Sequence, residues 1–212
     1  MKIRTVDDLS EKLDHEFGWR KKEILDFFSK IENKKKPQKF LVRALICIMY
    51  AHWEGFIRAS SDLYLNFVNH QKIKKENLSL TILGFSAFKI KGYDDSNNFE
   101  KQMTVVTTLL NNTTLCLDIP HDNAIKSGWN LNADRLEEFC IILDIDFTQF
   151  ALSSNLIDIK LLKARNEIAH GEYNFQEHED AIETCEKILD MLDLFKNQVI
   201  NNAVQKKYIK SS

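Results

Sequence analysis

The segment from residue 38 to 69 sets the terms for the rest of the chain. Val42, Leu45, Met49, Trp53, Phe56, Ser60, Leu63 and Phe67 recur at intervals of three and four, the period of an α-helix. Leu41, Ile46, Ile48 and Ile57 fall outside that stripe. A helix that is apolar on more than one side has to be surrounded, so this segment reads as a central helix around which the remainder packs. The 212 residues include only two prolines, Pro37 and Pro120, and six glycines. So few breakers leave long helices uninterrupted.

The same period marks the flanking segments. Residues 6–32 carry Phe17, Ile24, Phe27, Phe28 and Ile31 on one face, with Gly18 and Trp19 as a break that divides the segment into two helices. KKKPQK is a loop, because Pro37 forces its predecessor out of helical geometry. Shorter helices are expected over 77–91 and 98–111, with GYDDSNN as the loop between them and a short extended piece at 113–119. Asn132 is placed to cap a helix over 133–143, whose buried face is Leu136, Phe139, Cys140 and Leu143. A helix over 155–170 has the stripe Leu156, Ile159 and Leu162 and stops at Gly171. The last helix, 177–204, repeats Ala181, Cys185, Ile188, Leu192, Phe195 and Val199 with heptad spacing, and Glu177, Glu179 and Asp180 suit its N-terminal dipole. The expected fold is an all-α bundle of antiparallel long helices with a few extra short ones. It forms one domain over 1–212, with about 206–212 as a frayed tail.

Net charge is −2 and the pI near 6.3, which argues against a dedicated nucleic-acid coat and leaves room for a local basic patch. Lysines at 34–36, Lys72, Lys74 and Lys75, and Lys206, Lys207 and Lys210 read as solvated helix ends and loops. The four cysteines (Cys47, Cys116, Cys140, Cys185) are far apart and read as reduced, mostly buried thiols. No His or Cys pair has zinc-ligand spacing, so neither metal nor cofactor is expected. MKIRTVDDLSEKLD has no apolar leader, and LVRALICIMYA is short and interrupted by Arg43. The expected partner list therefore omits membrane, and the expected location is the cytoplasm.

The stretch LLKARNEIAHGEYNF holds the chemistry. Asn166 and His170 are four apart and share a helix face. Ile159, Leu162, Asn166 and His170 are spaced three, four and four, so two polar residues end an apolar stripe; Arg165 is one step round. One reading is structural, with His170 capping carbonyls and Arg165 paired to Glu167 or Glu172. The other is a site. General acid–base chemistry needs a group that gives or takes a proton near neutral pH. Histidine titrates in that range, and arginine stabilises negative charge that develops beside it. Glu54, in the middle of the most apolar helix, either orients Arg165 or His170 or pairs with Arg58 one turn on; Gly55 permits close helix approach. Tyr173 either contacts a phosphate or packs as a loop tyrosine. His52 reads as a packed core histidine, His121 and His178 as surface residues, and Trp19, Trp53 and Trp129 as core.

R-N-x-x-x-H-G at a helix end, in an all-helical chain whose long helix carries HWEGFIR, resembles the HEPN superfamily, above all its stand-alone prokaryotic members of the MAE type. The resemblance is carried by Trp19 and Arg20, Trp53, Glu54 and Gly55, the stretch GWNLNADRL at 128–136, and the run from Arg165 to Gly171. It implies a metal-independent endoribonuclease whose composite site forms in a homodimer, with Arg165 and His170 catalytic and Asn166 supporting them. Many such proteins serve as toxins or antiviral defence effectors. The implied partners are substrate RNA and an antitoxin or a nucleotidyltransferase, for which Tyr173 would be the modified residue. The resemblance also admits members that have lost activity and bind nucleotide, RNA or a partner protein.

Overall fold

The computed structural model describes residues 2–32, 38–90, 99–111, 114–123, 125, 130–173 and 177–210. The expected loops KKKPQK and GYDDSNN, the lysines at 34–36 and Trp129 fall wholly or largely outside them. Eight α-helices, a 3-10 turn and a π-helical segment make up the secondary structure of these residues, with two isolated bridges between extended stretches.

The first helix, α1 (Val6–Glu32), packs on α2 (Lys39–His70), and both pack on α8 (His178–Val204). Leu9, Leu13, Ile24 and Ile31 of α1 are fully buried, as are Leu45, Met49, Trp53 and Phe56 of α2 and Ile188, Leu192 and Phe195 of α8. By length and composition α2 is apolar enough to cross a membrane. Here that apolar surface is spent against helices on several sides, as its pattern requires. α1 does not break at Gly18. A single helical glycine costs about 1 kcal/mol, too little to offset the apolar face on both sides of it. α1 begins at a capping box: Thr5 Oγ1 accepts from the Asp8 N–H at 3.0 Å, and Asp8 Oδ2 accepts from the Thr5 N–H at 3.0 Å.

Shorter helices surround this layer: α3 (Leu80–Ile90), α4 (Phe99–Leu110), α5 (Ala133–Leu143) and α6 (Thr148–Ala151). Asn132 caps α5 as expected, its side-chain oxygen accepting from Arg135 N–H at 2.9 Å. Of the extended piece anticipated at 113–119, the described residues 114–119 contribute one antiparallel bridge, Lys74 to Cys116. Lys75 beside it is not solvated. It is 3 % exposed, and its ammonium donates to the Asn111 carbonyl.

The tail anticipated as frayed from 206 is docked through residue 210. Lys206 adopts φ 54°, and the Lys206 and Lys207 N–H groups bond to Ala203 and Asn202, closing a Schellman turn after α8. The turn sends Tyr208 back against Phe67, with ring centroids 5.8 Å apart and Tyr208 buried. Ser79 N–H then bonds to Tyr208 O and Lys210 N–H to Asn77 O.

The largest departure lies in the penultimate helix. Leu156–Lys163 is π-helical, and only the following α7 (Ala164–Ala169) is an α-helix. A π-helix places more residues in each turn. The buried residues are therefore Leu156, Ile157, Leu161 and Ala164, while Ile159, expected inside, is half exposed.

Candidate active site

α7 packs alongside α2, and the π segment decides which of its residues meets that helix. The widened turns rotate the residues after Lys163 away from the stripe the sequence suggests. Asn166 and His170 therefore do not continue a buried stripe: Asn166 is half-buried and His170 is exposed. Arg165 is the residue laid across α2.

Its guanidinium lies flat over the Tyr50 ring, Cζ 3.9 Å from the centroid. One amino group donates to Asn166 Oδ1 at 2.8 Å and the other to Asn130 Oδ1 at 2.9 Å. Glu54 Oε2 stands 3.9 Å from the same guanidinium, and Glu54 Oε1 lies 3.5 Å from Arg58. One carboxylate therefore faces two arginines, Arg58 of its own helix and Arg165 of α7. Glu167, offered as a partner for Arg165, faces Lys163 at 3.8 Å instead. Asn166 orients Arg165 and not the His170 ring.

Tyr50 is 3 % exposed, and its hydroxyl accepts from Leu131 N–H at 2.8 Å. Burial, followed by its hydrogen bond to Glu54, pushes the phenol up to about 12. It therefore stays protonated at neutral pH, donates to Glu54, and offers a neutral ring to Arg165. The Tyr50 and Asn130 contacts were not foreseen. Asn130 lies within the 128–136 stretch that carries the family likeness, and Tyr50 stands one helical turn before Glu54.

An open groove of about 470 Å³ runs along this face, lined by Cys47, Tyr50, Ala51, Glu54, Gly55, Arg58, Arg165 and Ala169. Gly55 is where Arg20 crosses behind α2: a Cβ there would meet an Arg20 amino nitrogen at 3.4 Å. Arg20 is 7 % exposed and held by Glu16. Burial raises the Cys47 thiol, against the pull of Arg165 and Arg43.

His170 does not line the groove; it stands at the helix end. Gly171 at φ 78° terminates α7, with Gly171 N–H on Ile168 O and Glu172 N–H on Glu167 O, the paired bonds of a Schellman motif. This geometry projects His170 into solvent one residue before the chain reverses. Tyr173 follows, exposed, its hydroxyl accepting from Lys39 Nζ at 2.9 Å at the start of α2. His52 is buried as expected, 2.9 Å from Glu23 and edge-on to Trp19. Trp53 is core, but Trp19 is 43 % exposed with Arg20 stacked on it. Among the described residues no three His, Cys, Asp or Glu side chains gather as a metal site.

The all-helical bundle agrees with one family. The family model of the MAE_28990-like HEPN proteins matches residues 9–208. The chain therefore belongs to the HEPN superfamily, in its MAE-type branch, and is a HEPN module. Comparison with curated proteins and with solved structures returned no match.

Proposed function

We propose that this HEPN module is a metal-independent endoribonuclease, acting as a toxin or antiviral effector, and that its active site is completed by a second copy of the chain. The observation that carries this reading is the setting of Arg165. Tyr50, Asn130, Asn166 and Glu54 hold one guanidinium at the edge of an open groove, five residues from an exposed histidine. A preset guanidinium is suited to charge that develops on a phosphorane. His170 supplies one proton-transfer group per protomer, whereas transphosphorylation needs a base and an acid. A two-fold dimer that brings two His170 side chains to one cleft supplies both. One histidine takes the 2′-hydroxyl proton and the other protonates the departing 5′-oxygen, which leaves a 2′,3′-cyclic phosphate and a 5′-hydroxyl.

A second reading has its own support. Arg165 is well partnered within its protomer and His170 lies off the groove, which suits a module that binds nucleotide, RNA or a protein without cutting. Incubation of total RNA with the protein in EDTA separates the two. Cleavage that is lost in His170→Ala supports the nuclease. RNA left intact by the wild type at a concentration where the protein is dimeric refutes it.

A further inference from the structure

One further arginine, Arg58, lines the groove, and a second, Arg43, stands on α2 one helical turn beyond its Cys47 end. Arg58 lines one end of the groove, and its side chain is 40 % exposed. Arg43 lies toward the other end, one helical turn before Cys47, which lines the groove; Arg43 and Arg165 both act electrostatically on that thiol. Arg43 is half-buried and makes no ion pair among the described residues. Arg165 reaches over from α7 between them. From Arg43 to Arg58 the helix rises about 22 Å, enough for several successive phosphates of an extended strand. Against these three guanidiniums the groove lining presents one carboxylate, Glu54, shared between Arg58 and Arg165 at distances longer than a close ion pair.

We propose that this face of α2 is a phosphate track for single-stranded RNA, in which Arg43 and Arg58 hold the phosphates on either side of the one presented to Arg165. The proposal rests on the nuclease reading only for the identity of the middle phosphate. Three features give the face this character. Arginine binds phosphate through a planar fork and remains charged at any accessible pH. The floor between the arginines is small, with Cys47 and Ala51 in successive turns, so a strand can approach the helix closely. Glu54 keeps Arg58 and Arg165 extended along the groove, and its weak pairs are exchangeable for phosphate oxygens. A chain of net charge −2 has no general affinity for nucleic acid, so binding should depend on these few side chains.

The test uses the full chain carrying His170→Ala, so that RNA is not consumed, with a fluorescein-labelled oligouridylate followed by anisotropy from 50 to 200 mM NaCl. Each phosphate contact on a single strand contributes a slope of about −0.7 in log K against log salt, so three contacts weaken binding about 18-fold over this range and two about 7-fold. Adding Arg43→Ala or Arg58→Ala should each bring the 18-fold loss toward 7-fold and weaken binding at low salt. Arg58→Lys should retain the steeper dependence, and Lys187→Ala, on the exposed face of α8, should leave it unchanged. The track is refuted if Arg43→Ala and Arg58→Ala keep the parent's affinity and salt dependence, if Lys187→Ala has the same effect as they do, if the parent binds no RNA, or if it binds a duplex as tightly as the single strand. Cleavage by wild type is scored separately. Cleavage with unaltered salt dependence in both arginine variants refutes the track alone, and a salt dependence that changes as expected without cleavage refutes the nuclease alone.

Discussion

Replacing Arg165 by alanine tests whether the groove is a preset site or a loose surface, because the two differ in what the side chain contributes to folding. A helix-end arginine with no fixed partner would cost almost nothing to remove. Arg165 instead makes two charge-assisted hydrogen bonds, to Asn130 and Asn166, and stacks on Tyr50. A hydrogen bond to a charged group contributes about 1.5 kcal/mol at the lower end of its range, and a cation–π contact at a partly exposed site about 0.5–1 kcal/mol. The Asn166 bond joins adjacent residues and the Glu54 pair at 3.9 Å is solvent-screened, so each adds little. The expected loss is about 2 kcal/mol. A typical domain has about 5–15 kcal/mol in hand, so Arg165→Ala should remain folded while RNA cleavage falls about a hundredfold or more. Arg165→Lys keeps the charge without the planar fork and should lose about half as much stability. Urea unfolding followed by circular dichroism measures all three proteins. A loss below about 0.5 kcal/mol for Arg165→Ala would show that the guanidinium is not held, and the argument for a preset electrostatic group would fall with it.

His170→Ala should leave the unfolding midpoint unchanged within error and abolish cleavage; a destabilised protein would assign His170 a capping role instead. Gly171→Ala should cost about 1 kcal/mol in urea unfolding, because φ is 78° while nothing stands within 4 Å of the added Cβ, and a neutral result would mean that the turn relaxes. Tyr208→Ala should cost about 2–3 kcal/mol and increase amide exchange at Ser79 and Lys210, whose N–H groups bond across the docked tail; unchanged exchange would contradict the docking. Burial lowers the His52 imidazolium below its ordinary value of 6.5, overriding Glu23, while Arg20 also disfavours the charged form. That contribution to stability is present above pH 6.5 and is lost as pH falls below it, because the unfolded chain then takes up the proton more readily. The acid-side slope of stability against pH should flatten in His52→Gln, and an identical slope would show that another group carries it.

Much of the fold is legible in the sequence wherever one period runs unbroken. α2, α5 and α8 fall within a residue or two of their predicted spans, and every residue of the α8 stripe is buried, because the helical period and the burial pattern agree there. The Gly171 stop is legible for the same local reason, since a glycine after a helical run takes the positive φ that ends it. The Arg165, Asn166 and His170 motif is likewise a matter of residues within one turn and a half of each other.

What the sequence could not decide is which way that motif faces. A stripe at intervals of three and four assumes an α-helix, and the π segment at Leu156–Lys163 changes the period just before the motif. The apolar residues in that segment are compatible with either winding, and contacts with α2 and α8, with the Ala133 N–H of α5 bonded to Asp158, select the wider one. The outcome is that Asn166 turns toward Arg165, His170 turns to solvent, and Arg165 meets Tyr50 and Asn130, residues 115 and 35 positions away in the chain. Glu54 shows the same division: the sequence left it between Arg58, one turn along the same helix, and a partner on the motif, and only the packing of α7 on α2 placed it beside both Arg58 and Arg165.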